Sequence, residues 1–335
     1  MRTVPSLIAG VGVLALVAGA CGGDPATGAV VLDEAPGCAE GEIVEGRSLR
    51  IATTVAPVTD IVDTLAAGSG ASVTGIVPEG VDSHTFEPSP SDAAVLEQAD
   101  VVLLNGLGLE LPTRRLAAAN VSQGAEICEL GTTVLPESEY LFDASFPEEA
   151  GWPNPHLWTS TRWTSEYAEL IASVLSTRDP ANADVYAANL DAFLGRLDEL
   201  ELAIATALAT VPEPNRLLLT YHDAYAYFAD DVGWTVVGAV QPSSFGEPSP
   251  RDVARLIDQL EGLDVRAIFG SEVFPSPVLE QVAAETGARY VDDMRDDDLP
   301  GEPGDPDHSW FGLMRFNVST MVEGLGGEAS ALQLR

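Results

Sequence analysis

Three of the four histidines in this 335-residue sequence lie where a side chain could bind a metal ion. His84 lies in a proline-rich loop between a predicted strand and a predicted helix, His156 just before a predicted helix, and His222 directly after a predicted strand. A neutral imidazole is a common ligand of transition metals, because a ring nitrogen offers it a lone pair. A lone loop histidine is more often a hydrogen-bonded structural residue, so none of the three establishes a site by itself.

A carboxylate occupies a fourth position of this kind. Asp292 directly follows the last predicted strand, and its neighbour Asp293 is the alternative. The series His84, His156, His222 and Asp292 has separations of 72, 66 and 70 residues, so two members fall in each half of the chain. Ligands of open α/β sheets collect at the carboxyl ends of strands. A single ion between two lobes could therefore take ligands from both.

The elements that must position these residues alternate between short β-rich runs and helical patterns, which is typical of parallel sheets covered by helices. A short helix is predicted at 91–99, with Ser91 as its N-cap. The predicted strands are 49–55, 71–77, 100–104, 126–130, 216–220, 235–240, 266–269 and 289–291.

A long helix is predicted between the two halves. One apolar stripe runs from Tyr186 to Leu208 at helical spacing. The predicted fold class is therefore α/β. It has two lobes, 47–180 and 212–328, each with a mostly parallel sheet, joined by one long backbone helix at 181–211, with the metal site in the cleft between the lobes.

The charge balance is strongly acidic. The chain has 52 acidic residues against 16 basic ones, all of them Arg, for a formal net charge of −36. Phosphate backbones would be repelled, so no nucleic-acid partner is expected. The acidic stretch 292–307, followed by His308, predicts a mobile solvated loop. The alternative is a weak metal-collecting segment that ends in His308.

The N-terminus has the pattern of an export signal. Arg2 precedes an apolar run, Leu7 to Ala18, that is too short to span a membrane. Small residues before Cys21 resemble a bacterial lipobox, which would make Cys21 the lipidated first residue of the mature chain. We therefore expect a signal peptide at 1–20, a lipid-anchored tether at 21–46 and an extracytoplasmic protein held at the cell membrane. An ordinary signal peptide cut near Cys21 is the alternative.

The remaining cysteines form an even pair. Cys38 and Cys128 would lie in a compartment where disulfides persist, so we predict that they bond. Two free buried thiols are the alternative.

Seven separate phrases of the sequence share one resemblance: Val81–Asp92, Ala99–Asp100, Asn105–Glu110, Asn154–Trp158, His222–Phe228, Glu247–Pro250 and Leu313–Asn317. Together they resemble one family, the zinc/manganese-type (cluster A-I) substrate-binding proteins of ABC transporters. The resemblance covers about 49–325, nearly all of the mature chain.

This resemblance implies two α/β lobes bridged by a rigid helix, with one metal buried between them. It implies His84 and His156 as ligands from the first lobe and His222 and Asp292 from the second. Members that handle manganese commonly carry Glu where this chain has His222. Three imidazoles and one carboxylate suit zinc, whereas manganese favours more oxygen donors.

The expected function is capture of Zn²⁺, as transported ligand, for the membrane permease of an ABC importer by a monomeric protein that is not an enzyme. A manganese or iron receptor of the same class is the alternative. A secreted zinc hydrolase would need an open coordination position and a general base, and the sequence contains no His-Glu-x-x-His pattern. A surface adhesin would explain the anchor but none of the four ligand positions.

Overall fold

The structure is a computed structural model that describes residue 38 and residues 41–143, 145–241, 243–246, 248–260, 262–271 and 277–333. Among these residues, eight strands form two parallel four-stranded sheets, with orders β2-β1-β3-β4 and β6-β5-β7-β8. The strands are β1 (Arg50–Thr53), β2 (Ser72–Gly75), β3 (Val101–Leu104), β4 (Glu126–Glu129), β5 (Leu217–Thr220), β6 (Thr235–Ala239), β7 (Ala267–Ser271) and β8 (Arg289–Met294).

Helices cover both sheets, which explains why the central strands are apolar on both faces. Every residue of β3 is buried, as parallel strands between helices require. The helices are α1 (Ala56–Ala66), α2 (Pro90–Gln98), α3 (Leu111–Asn120), α4 (Leu130–Val134), α5 (Thr161–Arg178), α6 (Ala183–Leu208), α7 (Ala226–Val232), α8 (Pro250–Leu260), α9 (Pro277–Thr286) and α10 (Trp310–Gly324).

Helix α6 bridges the two halves of the molecule. Its apolar stripe is buried, and Phe193 in its middle packs against Trp310 and Phe311 of α10, with ring centroids 5.8 and 5.0 Å apart. One continuous apolar core contains residues of both sheets together with this stripe. The predicted architecture of two α/β lobes joined by one long helix is confirmed.

The start of α2 differs from its prediction. The N-cap is Ser89, not Ser91, and it forms a capping box in which Asp92 Oδ2 accepts from the Ser89 backbone N–H at 2.6 Å. Pro90 decides the position, because a proline lacks an N–H and therefore suits the first helical residue, directly after the cap. Sequence reasoning placed the cap inside the helix.

Cys38 and Cys128 are joined by a disulfide, with their Cα atoms 4.7 Å apart. The bond ties residue 38 to β4 of the first sheet. The predicted signal peptide, the predicted lipidation site Cys21 and most of the predicted tether lie outside the described residues. Within the described part of the chain, no helix combines the length and the apolarity needed to cross a membrane.

Candidate metal site

His84 is held in the loop between β2 and α2 by a local turn. Asp82 Oδ1 accepts from the His84 backbone N–H at 2.8 Å, and Asp82 Oδ2 accepts from the Thr85 hydroxyl at 2.9 Å. Such hydrogen bonds from side chain to backbone hold a loop in place where no strand pairing does so. The Nε2 atom of His84 consequently faces the cleft, 3.2 Å from the Nε2 atoms of both His156 and His222.

His156 is oriented by Asn154, two residues earlier. Asn154 Oδ1 accepts from the His156 backbone N–H at 3.1 Å and lies 2.8 Å from its Nδ1. The Asn154 amide group donates to Asp143 Oδ2 at 2.9 Å and to the Asp223 carbonyl at 2.6 Å. Because a carboxylate accepts only, these bonds point the amide oxygen at the imidazole. His156 therefore carries its proton on Nδ1 and offers the lone pair of Nε2.

His222 is oriented in the same way from the second lobe. It follows β5, and its Nδ1 lies 2.5 Å from Oε1 of Gln241, which follows the adjacent strand β6. The Gln241 amide group donates to the Phe245 carbonyl at 3.4 Å, which assigns the amide oxygen to the imidazole. The proton again belongs on Nδ1, so Nε2 carries the lone pair that can bind a metal.

The three imidazoles converge on one point. The Nε2 atoms of His156 and His222 are 2.8 Å apart, and all three ligand atoms lie within 4.8 Å of one another. Two ligands of a tetrahedral zinc ion at its usual bond length lie about 3.3 Å apart, close to these separations. Lone pairs of neutral imidazoles repel one another at this distance, so the arrangement suits a cation that all three can share.

The site is buried and apolar at its edge. His156 and His222 are buried, and His84 stacks on Phe245 with ring centroids 4.3 Å apart and an angle of 6°. Phe146 contacts the same ring at 5.5 Å. Phe245 adopts φ of 55°, a left-handed conformation that is rare for an aromatic residue and is often found at functional sites.

Burial also keeps the imidazoles neutral. Desolvation lowers the pKa of His84 and of His156 well below the usual range, and the neighbouring imidazoles lower both further. Desolvation lowers the pKa of His222. The hydrogen bond to Gln241 and the charges of Asp82 and Asp143 act in the opposite direction and raise the pKa, but by less. A neutral imidazole is the form that binds metal, so the site needs no deprotonation at neutral pH.

Asp292 is placed differently from the histidines. Its side chain is exposed near the end of β8, and the group of three convergent ligands does not include it. The β7–β8 register shifts between Phe269 and Ser271, next to this position. The side chain of Asp293 is not among the parts of the chain that the structure describes. The structure thus brings three of the four predicted ligands together, and a fourth ligand from this strand end stays a prediction.

The acidic stretch after β8 is not uniformly solvated. Its distal part, 301–307, is exposed, whereas Asp296, Asp297 and Asp298 are buried. The prediction of a mobile solvated loop was therefore wrong for the proximal part, because Asp297 and Asp298 accept hydrogen bonds from backbone N–H groups of the first lobe. His308 contacts Glu79 at 3.7 Å and does not belong to the three-histidine group.

Sequence reasoning missed the residues that orient His156 and His222. Asn154 stands inside a phrase already singled out, two residues before His156. Gln241 follows the carboxyl end of β6, where the rule that located His222 could also have found it. Phe146 and Phe245 carried no sequence signal.

Two α/β lobes joined by one long helix, with imidazoles from both lobes meeting between them, define a two-lobe metal-binding protein. Residues 51–324 match the family described as ZnuA, zinc-uptake complex component A, periplasmic, and the chain belongs to this family of periplasmic metal-binding proteins. As a member, it is a metal-binding, substrate-binding component of an ABC transporter.

Named relatives cover most of the chain. It is 32% identical over 313 residues to the manganese-binding lipoprotein MntA of Halalkalibacterium halodurans, across 93% of this chain and 96% of that one. It is 28% identical over 280 residues to the iron-binding protein YfeA of Yersinia pestis, across 84% and 87%. A manganese-bound periplasmic metal-binding protein from Candidatus Liberibacter asiaticus superposes with a TM-score of 0.73 at 27% identity, across 83% of this chain and 100% of that one.

Proposed function

We propose that this protein captures Zn²⁺ outside the cytoplasm and delivers it to the permease of an ABC importer, without catalysing a reaction. The observation that carries the proposal is the convergence of His84, His156 and His222 through their Nε2 atoms. Two of these rings are held in the metal-binding tautomer by amide oxygens. Such preorientation is the usual support of a metal ligand.

The preference for zinc rests on the donor set. Three imidazoles suit a borderline ion, and the fourth ligand that we propose, Asp292 or its neighbour Asp293, would complete a tetrahedral shell. Manganese favours more oxygen donors, and family members that handle it commonly carry Glu at the position of His222. Manganese or iron is the second candidate, favoured by the names of the relatives MntA and YfeA.

Delivery follows from the division of the ligands between lobes. His84 and His156 come from the part of the chain before α6, and His222 comes from the part after it. A shift of one lobe against the other, driven by docking on the permease, would separate the ligands and free the ion. We propose that Cys21 carries the lipid that keeps the monomeric receptor beside its permease.

Calorimetric titration of the metal-free protein with Zn²⁺, Mn²⁺ and Fe²⁺ tests this function. Replacing His84, His156 or His222 by Ala should weaken zinc binding by more than the roughly 10–100-fold that loss of a ligand's hydrogen-bond partner costs. His308→Ala is the matched control, a histidine outside the group. Equal losses in the control and the three variants would refute the assignment. Peptidase or esterase turnover by the zinc-loaded protein would refute the non-catalytic part.

A further inference from the structure

Two phenylalanines, one from each lobe, cover the metal site at its least buried edge. Phe146 precedes α5 in the first lobe, and Phe245 follows β6 in the second. His84 forms this edge, because it is half-buried whereas His156 and His222 are buried. The two phenyl rings also contact each other, with centroids 5.7 Å apart. This pair, Phe146 and Phe245, is called the aromatic lid below.

The aromatic lid contacts every imidazole of the group. The ring centroid of Phe146 lies 5.5 Å from that of His84, 5.6 Å from that of His156 and 6.4 Å from that of His222. The ring centroid of Phe245 lies 4.3 Å from that of His84 and 6.4 Å from that of His222. A phenyl ring carries no hydroxyl or N–H group, so the lid offers water no strong hydrogen-bond partner.

The first-lobe half of the lid is held by the same carboxylate that supports His156. Asp143 Oδ1 accepts from the Phe146 backbone N–H at 2.9 Å, and Asp143 Oδ2 accepts from the Asn154 amide group at 2.9 Å. Asn154 in turn orients His156. The ring of Phe146 is therefore placed together with this imidazole.

The second-lobe half is tied to His222 in a similar way. The Phe245 carbonyl accepts from the Gln241 amide group, whose oxygen faces His222 Nδ1. The φ of 55° at Phe245 belongs to the left-handed region, which an aromatic residue keeps only where surrounding contacts require it. In this conformation the carbonyl bonds to Gln241 of its own lobe while the ring stacks on His84 of the other.

We propose that Phe146 and Phe245 are specificity-determining residues that favour zinc over manganese by keeping water out of the coordination shell. This inference rests on the proposed function, since it concerns the same three histidines and the same ion. A manganese ion prefers an octahedral shell with oxygen ligands, water among them. Three imidazoles and one carboxylate leave that shell incomplete, and the lid excludes the water that would complete it. A tetrahedral zinc ion is complete with these four ligands.

The first test compares the water ligands of bound Mn²⁺ in the full chain. A bound Mn²⁺ ion speeds the relaxation of water protons when water exchanges through its coordination shell. Phe146→Ala and Phe245→Ala should therefore relax water faster per bound ion than wild type. Phe142→Ala is the matched control, since Phe142 is 39% exposed and packs on Tyr140. It should match wild type, and wild-type relaxation in both lid variants would overturn the inference.

The second test measures the affinities for Zn²⁺ and Mn²⁺ by competition titration. The ratio of zinc to manganese affinity should fall about 10-fold in each alanine variant, the lower end of the effect of altering a ligand's surroundings. General damage to the site would weaken both ions alike and leave the ratio unchanged. An unchanged ratio with normal zinc binding would overturn the lid inference and leave the proposed function standing. A wild-type protein that binds neither ion would overturn both.

Leucine variants separate exclusion of water from damage to the core. Phe146→Leu and Phe245→Leu keep an apolar side chain over the site, so their relaxation and affinity ratio should return toward wild type. Leucine variants that match the alanine variants would overturn the inference.

The wild-type protein decides the case in which the alanine variants do not fold. Electron–nuclear double resonance of its Mn²⁺ form, in ordinary and in heavy water, detects water bound to the ion. Absence of a water ligand is the expected result, and a bound water would overturn the inference.

Discussion

The Nε2 atoms of His156 and His222 lie 2.8 Å apart while their Nδ1 atoms face the amide oxygens of Asn154 and Gln241. Each amide fixes the proton on the far side of its ring, so two lone pairs meet across the cleft. A hydrogen bond between the two rings would require one of them to give up its amide partner. A shared cation satisfies both rings at once.

The first prediction concerns Gln241, which orients His222. Gln241→Ala should weaken zinc binding about 10–100-fold, because the imidazole loses the acceptor that fixes its tautomer. Calorimetric titration measures the effect. Gln259→Ala is the matched control, since the Gln259 side chain donates to the Val237 carbonyl on the surface and is not part of the three-histidine group. Equal affinities in the two variants would show that Gln241 does not support the ligand.

The second prediction concerns metal preference. His222→Glu should lower the ratio of zinc to manganese affinity about 10-fold or more, because an oxygen donor replaces an imidazole. Competition titrations with both ions give the ratio directly. An unchanged ratio would mean that His222 does not set the preference and would favour the manganese or iron alternative.

The third prediction concerns stability and pH through Glu110. Burial raises the pKa of Glu110 from 4.5 to about 7, although its carboxylate accepts from the backbone N–H groups of Asn105 and Gly106 at 2.6 and 3.2 Å. The folded state holds this proton more tightly than the unfolded state. The contribution of Glu110 to stability is therefore fully present below pH of about 4.5 and is lost as pH rises through about 7.

Glu110→Gln removes this titration and keeps an oxygen acceptor. Relative to wild type, the variant should gain up to about 3 kcal/mol in the free energy of unfolding between pH 5 and pH 8. Urea unfolding at several pH values measures the difference. Glu97→Gln, an exposed control on α2, should show the same dependence of the free energy of unfolding on pH as wild type. The prediction would be contradicted if the free energy of unfolding of Glu110→Gln had the same pH dependence as that of wild type.

The fourth prediction concerns the disulfide. Cys38 and Cys128 are separated by 90 residues, so opening their bond should lower the free energy of unfolding by about 2–5 kcal/mol. Cys38→Ser should show this loss in urea unfolding without a change in zinc affinity, since neither cysteine lies in the metal site. Peptide mapping without reductant should recover the two cysteines in one cross-linked fragment. Separate fragments would show that the bond is absent.

Much of the fold could be predicted from local patterns. The eight strands and the long helix lie within a few residues of their predicted bounds, because apolar periodicity is a local property of the chain. His156 precedes a helical segment and was singled out through the phrase around it, whereas His84 and His222 could be found for a related reason. Strand ends of parallel sheets collect ligands, and each lobe contributes one such edge.

The sequence could not place the acidic stretch or the ligand supports. Asp297 and Asp298 look like members of a solvated run, yet they bond to Ser83 and Gly80, residues 214 and 218 positions away. Asp292 looked equivalent to the histidines, but its side chain is exposed beside a shift in the β7–β8 register, which no sequence pattern predicts.

From its residues alone, then, the chain determines its two lobes, its bridging helix and three histidines that are candidate ligands, since each was singled out by short-range patterns. The tertiary structure decides which carboxylates are buried, which amides orient the imidazoles and how the lobes are tied together. Those outcomes depend on hydrogen bonds between distant segments, whose partners are chosen by the packing of the whole molecule.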